Sequence, residues 1–494
     1  MLSHDLLNPQ VFSFRGFRGQ VRTSDFLIEN PMSGPDPTST FCLIFDRFSW
    51  LMNFQYHLIT YGCQMNKNDS ERLESLLQHM GGVPIKEKEK ADLILLNTCS
   101  VRQTAEDRIY GQVRTFLRLK EKNSKLIIGI TGCMAGRDKN GKIRASLSGV
   151  DLFFAIKDMT ELPRWIAGLR PDLAWKGEVP PDYLSLDPIT PHLPQAFVTI
   201  QTGCNNFCSY CVVPFSRGRE KNRPLQDILK ETRSLADKGV VEVTLLGQTV
   251  NSYVAPDSEH FSSQNPFHHH FAALLWEMNQ IPGISRLHFT APHPKNMSEE
   301  IIEAMTLPAH LSFLHLPIQC GSNEVLQRMN RKHTVEDYLR AFEYTKKRIP
   351  WITLGTDIIV GFCGETKEQF QETVKVYKEV DFDIAYLARY SPRSGTAAWR
   401  AFKDDVSREE KKERWEELQV LMEGISFRKN QAYVGNEVSV LVERCEKAGE
   451  IAYVYGNSRE LKLTRFPGES EDIGKIISVK VTRADTWLLE GVRV

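Results

Sequence analysis

Several things are scarce in this chain of 494 residues. It has no net charge, with 62 lysines and arginines against 62 aspartates and glutamates. No overall field therefore draws it to nucleic acid or to a membrane, and any basic surface has to be local. No run of about 18 apolar residues is present, which excludes an ordinary spanning helix. Ten cysteines in 494 residues are too sparse for a disulfide scaffold, and no secretory h-region precedes them. A reducing, cytoplasmic setting is the expectation, where clustered cysteines more often bind metal or do redox chemistry. With 41% apolar and 25% charged residues, the chain can bury two to four domain cores.

Residues 1–53 differ from the rest. Stretches such as NPMSGPDPTST carry little periodicity, and Met52 sits just before the first convincing strand. An upstream extension, a targeting peptide and a small ordered segment all fit; a dispensable extension is the reading adopted. Residues 54–170 then repeat one pattern three times. YHLITY runs into GCQMN, DLILLN into TCSVR and KLIIGI into TGCMAG, with helical segments between. Alternating buried strands and helices predict a doubly wound parallel sheet. Cys63, Cys99 and Cys133 each fall just past the carboxyl end of a strand. Those ends share one edge of such a sheet, and ligands bind there. Spacings of 36 and 34 residues are unremarkable by themselves; the shared register is what brings three thiols together.

Residues 171–195 are proline-rich and read as an extended linker. Residues 196–430 alternate strand and helix again. FVTIQ, VEVTLLG, SRLHFT, FLHLPIQ, TLGTDIIVG and DIAYLARY predict a partial or full β/α barrel, with its chemistry at the carboxyl ends. Apolar positions 415, 418, 421, 422 and 425 predict a helix that closes this domain. From 431 to 494 the period changes to two, as in EVSVLVE and IISVKVTR, predicting a small β-barrel or sandwich.

The densest chemical signal is GCNNFCSYC, with Cys204, Cys208 and Cys211 at the end of the first barrel strand. A structural zinc site closes with four ligands. A cubane iron–sulfur cluster takes one thiolate per iron, so three leave one iron open for chemistry. A zinc knuckle with a distant fourth ligand is the competing reading of the motif.

C-x3-C-x2-C at this position resembles the signature of the radical S-adenosylmethionine enzymes. Together with YGCQMN, NTCSVR, TGCMAG, SRGRE, LLGQTVNSY, LHLPIQCGS and DIIVGFCGET, the chain from residue 54 onward resembles the tRNA methylthiotransferases. The resemblance implies an N-terminal methylthiotransferase domain, a central radical S-adenosylmethionine partial barrel and a C-terminal TRAM domain. It implies one 4Fe–4S cluster on Cys204, Cys208 and Cys211 and an auxiliary one on Cys63, Cys99 and Cys133. One S-adenosylmethionine then supplies a methyl group and another the radical that attacks C2 of an adenine. The implied substrate is tRNA carrying an isopentenylated adenosine beside the anticodon. An electron donor such as flavodoxin or ferredoxin and iron–sulfur assembly factors are the implied partners, with no membrane.

Other candidates are weaker. Arg217, Arg219, Lys221 and Arg223 form a basic run beside the cluster motif, with Phe215 as a stacking ring, and are expected to meet RNA phosphates. Gln248, Asn251, His293, Gln319, Asp357 and Arg393 follow or lie in barrel strands and are candidates to touch S-adenosylmethionine or the base. Asp357 ranks highest, because a carboxylate in an apolar strand needs a partner. Glu365 is as readily a helix cap. Cys320, Cys363, Cys42 and Cys445 are expected to be inert, and His268–His270 a solvated turn. Departures from the family wording at Cys320, Cys363 and Ser394 leave the roles of those loops less defined. Two sibling activities stay open, on threonylcarbamoyladenosine in tRNA and on a ribosomal-protein aspartate. A zinc-stapled RNA-binding module without catalysis is the alternative of another class.

Overall fold

The computed structural model describes residues 54–100, 103–190, 194–449 and 451–494. Cys42 and the expected extension 1–53 lie outside the described residues.

The first sheet is wholly parallel. Its strands are β1 (Phe54–Thr60), β2 (Gly82–Pro84), β3 (Leu93–Thr98), β4 (Ile127–Gly132) and β5 (Leu152–Phe153), in spatial order β2-β1-β3-β4-β5. Alternate residues of β3 feed opposite faces. Leu93 and Leu95 pack with Leu73, Leu76 and Leu77 of helix α1 (Gln64–His79). Ile94 and Leu96 pack with Ile109, Val113 and Phe116 of helix α2 (Gln103–Lys122). A strand buried on both faces needs apolar residues throughout, as LILL has. The order is that of a doubly wound fold, with its topological switch between β1 and β3.

The proline-rich stretch differs from the expected free spacer. It makes short helical turns at Pro171–Leu173 and Tyr183–Ser185. Leu173, Tyr183, Leu184 and Leu186 are buried in the first domain's core. Their apolar area, removed from water, holds the segment down.

The central domain carries β6 (Gln195–Thr199), a short antiparallel ribbon of β7 (Gln201–Thr202) and β8 (Lys221–Asn222), then β9 (Glu242–Leu246) and β10 (Arg286–Phe289). It continues with β11 (Phe313–His315), β12 (Thr353–Val360) and β13 (Ile384–Arg389). The runs β6-β9-β10 and β11-β12-β13 are parallel. They are two three-stranded sheets, linked among the described residues by an isolated parallel bridge from Leu287 to His310, just before β11. The barrel is therefore partial, and α1 lies along its free edge. Asn68 Nδ2 donates to the Phe197 carbonyl of β6 at 3.2 Å, and Thr199 Oγ1 donates to Asn68 Oδ1 at 2.8 Å.

The C-terminal region closes as a five-stranded barrel of β14 (Glu437–Ala448), β15 (Ile451–Ser458), β16 (Leu463–Pro467), β17 (Ile476–Ala484) and β18 (Leu489–Arg493). This settles the choice between barrel and sandwich. It docks on the amino ends of the core strands. Arg286, at the start of β10, pairs with Glu242 at 2.5 Å and donates to the carbonyls of Asn457 and Ser458. Asp383, just before β13, holds Lys462 at 2.9 Å and Lys429 at 2.6 Å. The carboxyl ends of the core strands are thereby left to the N-terminal domain. Among the described residues no helix is long and apolar enough to cross a membrane.

Candidate active site

The dispersed cysteines are positioned by their strands. Gly62 and Cys63 follow β1, Cys99 follows β3 directly, and Cys133 opens the short helix α3 (Cys133–Arg137) after β4. Cys63 and Cys99 thus flank the topological switch. Backbone polar groups of three adjacent loops have to be satisfied, and two asparagines do it. Asn66 Nδ2 donates to Asn97 Oδ1 at 3.0 Å and to the Thr98 carbonyl at 3.2 Å. Asn97 Nδ2 donates back to the Asn66 carbonyl at 2.8 Å, and Thr98 Oγ1 donates to the Thr131 carbonyl at 2.6 Å. Packing is so close that a Cβ on Gly62 would lie 2.9 Å from Cys99 Cβ. Gly132 has φ +95°, and a Cβ there would meet the Thr98 carbonyl oxygen at 2.4 Å. Glycine is required at both positions.

The clustered cysteines sit at the opening of the partial barrel. Gly203 takes φ +77° and turns the chain out of β7. Cys204 is buried, and its sulfur lies 3.3 Å from Thr249 Oγ1, after β9. The Val213 amide donates to Cys211 Sγ at 3.4 Å, and Arg331 Nη1 donates to Cys208 Sγ at 3.5 Å. Burial, and then the neighbouring Cys208, push the Cys211 thiol up to about 12. A bound metal group would favour the thiolate form of such a donor set. Among the described residues no three His, Cys, Asp or Glu side chains are gathered tightly enough to hold a single ion.

The segments that carry the two sets of cysteines pack against each other across the domain junction. The helical turn Val213–Ser216 leads from Cys211 to Arg217 and packs directly on α3. A Cβ on Gly136 would lie 2.2 Å from the Ser216 carbonyl oxygen. Arg217 enters the first domain, where its Nη2 donates to Asp69 Oδ2 at 2.6 Å. Its charge acts on both Cys63 and Cys133. Cys63 is open to solvent at the mouth yet crowded by both domains; that crowding raises its thiol, against the pull of Arg217.

The basic run requires correction at two positions. Arg217 and Arg223 are buried in ion pairs, with Asp69 and with Glu231, the latter at 2.8 Å. A guanidinium so enclosed cannot reach a phosphate. Arg219 and Lys221 point outward, Arg219 over the ring of Phe207 and Lys221 against Asp182. Phe215 is half-buried.

Residues after the other strands separate into distinct groups. The Asn251 amide is bonded in both directions to the His293 backbone, at 2.9 and 2.8 Å. His293 lies 5.5 Å from His333, ring to ring, and both are held neutral by burial and by Arg331. Among the described residues, His293 Nε2 and Gln248 Oε1 are buried without a hydrogen-bond partner. Polar atoms so placed fit an interior that receives a polar ligand. Asp357 does have a partner, His315 Nε2 at 3.4 Å. Gln319 takes φ +74° and bridges to β12 through its backbone. Arg393 is buried near Cys99, Glu106 and Arg137 rather than inside the barrel. Glu365 accepts from the Gly361 amide and from Arg414; Thr366, not Glu365, caps the following helix. Cys320 and Cys363 are buried, and Cys445 is partly buried against the small barrel's core. His269 caps its own helix, and Glu300 accepts from the amides of His268 and His269.

Sequence reasoning missed Asp69, Arg331, Thr249 and the Asn66–Asn97 pair. Asn97 had a signal, a polar residue ending an apolar run. Arg331 had none, lying 120 residues beyond Cys211.

A parallel partial barrel with three thiols at its carboxyl end defines a radical S-adenosylmethionine protein. The model of the radical SAM superfamily matches residues 198–376, and that of "Uncharacterized protein family UPF0004" matches residues 55–155. A solved radical S-adenosylmethionine methyltransferase from Kitasatospora setae shares the fold. Its TM-score is 0.51 at 14% identity, over 70% of this chain and 77% of that one. The tRNA-2-methylthio-N6-dimethylallyladenosine synthase of Moorella thermoacetica is 40% identical over 89% of this chain and 98% of its own length. That of Carboxydothermus hydrogenoformans is 39% identical over 89% and 99%, and that of Caldicellulosiruptor saccharolyticus 41% over 89% and 92%. The chain belongs to the tRNA-2-methylthio-N6-dimethylallyladenosine synthase family, whose cofactors are S-adenosylmethionine and 4Fe–4S clusters.

Proposed function

We propose that this protein is a transferase that adds a methylthio group to C2 of an N6-isopentenylated adenosine beside the anticodon of tRNA. The observation that carries the reading is the packing, at one junction, of the turn that follows Cys211 on the helix that Cys133 opens. Cys204, Cys208 and Cys211 would hold the cluster that binds S-adenosylmethionine; Cys63, Cys99 and Cys133 would hold the auxiliary cluster. When bound, these groups supply reductive cleavage of S-adenosylmethionine and a site for the sulfur. The chain's own contribution is placement. Arg331 and the Val213 amide donate to thiolate sulfur, and hydrogen bonds to the charged form favour it. Neutral His293, with Gln248, offers unsatisfied polar atoms to S-adenosylmethionine or base. Asp357, oriented by His315, is the candidate catalytic carboxylate. Asn251 acts through the His293 backbone. Arg219 and Lys221 are the residues of the basic run that remain able to meet RNA phosphates.

On this reading residues 54–170, 196–430 and 431–494 are the methylthiotransferase, radical and TRAM domains. Residues 171–195 are the connection, and 1–53 an extension dispensable for activity. The protein works in the cytoplasm, with a flavodoxin or ferredoxin as reductant and iron–sulfur assembly factors loading it. Mass spectrometry of tRNA nucleosides from a deletion strain tests the activity. Loss of the methylthio-isopentenyl nucleoside, restored by this chain, is expected; unchanged levels reject the proposal, and loss of the threonylcarbamoyl counterpart would favour that sibling.

A further inference from the structure

Arg217 belongs to the radical domain in sequence and to the auxiliary triad in space. It follows Cys211 by six residues, yet its side chain is 3% exposed inside the junction, and its partner Asp69 is 2% exposed. Asp69 lies on α1, which begins immediately after Cys63. Nη2 is satisfied by Asp69, whereas Nη1 is buried with no hydrogen-bond partner among the described residues. A buried guanidinium nitrogen without an acceptor is costly and calls for an explanation. The Gly136 and Ser216 backbones pack closely beside this junction. The groups facing this guanidinium are the Asp69 carboxylate, the sulfurs of Cys63 and Cys133 and the Tyr183 hydroxyl.

Resting on the reading above, we propose that Arg217 is a positioning residue for the auxiliary iron–sulfur cluster. Its free Nη1 group donates to that cluster's thiolate or sulfide sulfur, so the radical domain supplies the cation that balances the other domain's cluster. A cluster on three thiolates is anionic and becomes more so on reduction. A fixed cation therefore stabilises the reduced form and raises the potential; hydrogen bonds to cluster sulfur act in the same direction. Asp69 moderates that cation.

The two partners should then move the potential in opposite senses. The test uses the full chain carrying C204A, C208A and C211A, reconstituted anaerobically, so that one cluster alone reports. Iron content, electron paramagnetic resonance and the midpoint potential are measured with R217M, R217K and D69N added in turn. With iron retained, R217M is expected to lower the potential and change the resonance. R217K should recover part of the loss, and D69N should raise the potential. Unchanged potential and resonance in R217M would reduce Arg217 to a pin between domains and overturn the inference. Should R217M fail to fold by circular dichroism, D69N decides alone: a raised potential supports the proposal and an unmoved or lowered one overturns it. A parent chain that binds no iron through Cys63, Cys99 and Cys133 would sink the proposed function as well, whereas an unmoved potential with iron bound sinks only this inference.

Discussion

The two cysteine sets reach the same junction by different routes. Cys204, Cys208 and Cys211 lie within eight residues, and one loop turned by Gly203 presents them. Cys63, Cys99 and Cys133 span 71 residues, and three parallel strands in register present them. A local set needs one loop conformation. A dispersed set needs an entire sheet, two asparagines and two glycines before its thiols become neighbours. The dispersed set is accordingly the one whose geometry depends on domain stability and docking.

The largest test removes each set in turn. C204A/C208A/C211A and C63A/C99A/C133A should each lower bound iron from about eight to about four atoms per chain. The first should lose cleavage of S-adenosylmethionine and the second keep it, while both lose the methylthio product. Zinc at one or two atoms per chain, with little iron, would contradict the whole comparison.

Loosening the seam comes next. Glu231 is buried between Arg72 and Arg223, at 3.1 and 2.8 Å, and joins α1 to the core helix Leu225–Asp237. E231Q leaves two buried cations undercompensated and should cost about 3–5 kcal/mol in urea unfolding. A cost below about 1 kcal/mol would mean the pair is incidental.

Glycine substitutions separate the two routes. G203A and G132A each place a Cβ at positive φ against backbone, 2.0 Å from the Arg219 carbonyl oxygen and 2.4 Å from that of Thr98. Each should cost about 2–4 kcal/mol from strain and overpacking. G203A should deplete mainly the S-adenosylmethionine-cleaving cluster and G132A the auxiliary one. Equal loss of both from either variant would show that the sites fold as one unit.

The smallest effect is a pH dependence on the α1 side. Burial pushes Glu71 up from 4.5 to about 7, against the Asn68 hydrogen bond. The folded state then holds this proton more tightly than the unfolded state. Its contribution favours folding at low pH and is lost as pH rises between about 4.5 and 7. E71Q should raise the melting temperature at pH 8 more than at pH 5; equal shifts at both would exclude Glu71 as the source.

Much of this was legible beforehand because it is local. QTAEDRIYGQVRTFLRLKEK and KEQFQETVKVYKEV form helices with the expected bounds, Gln103–Lys122 and Lys367–Val380. Period-two runs after residue 431 became strands. The last strand, Leu489–Arg493, escaped notice although most of its pairs are with the adjacent strand β17, because LEGVR is short and lacks a clear apolar alternation. Arg217 and Arg223 misled because their burial is decided by packing rather than by the run they stand in. Four basic residues in seven look like one surface, and the run itself does not say that Asp69, far back in the chain, and Glu231, on the following helix, pair with two of them.

By itself the sequence determined the three-thiol motif, the alternation of strand and helix and the change of period at the C-terminus. Each depends on neighbours within a turn or a strand, where side-chain chemistry acts directly on the backbone. Tertiary structure alone decided which basic side chains face water, that α1 covers the free edge of β6, and that Arg217 ends beside Cys63 and Cys133. Those outcomes depend on desolvation and charge pairing between packed segments, several of them more than a hundred residues apart, and such energies exist only once the segments have docked.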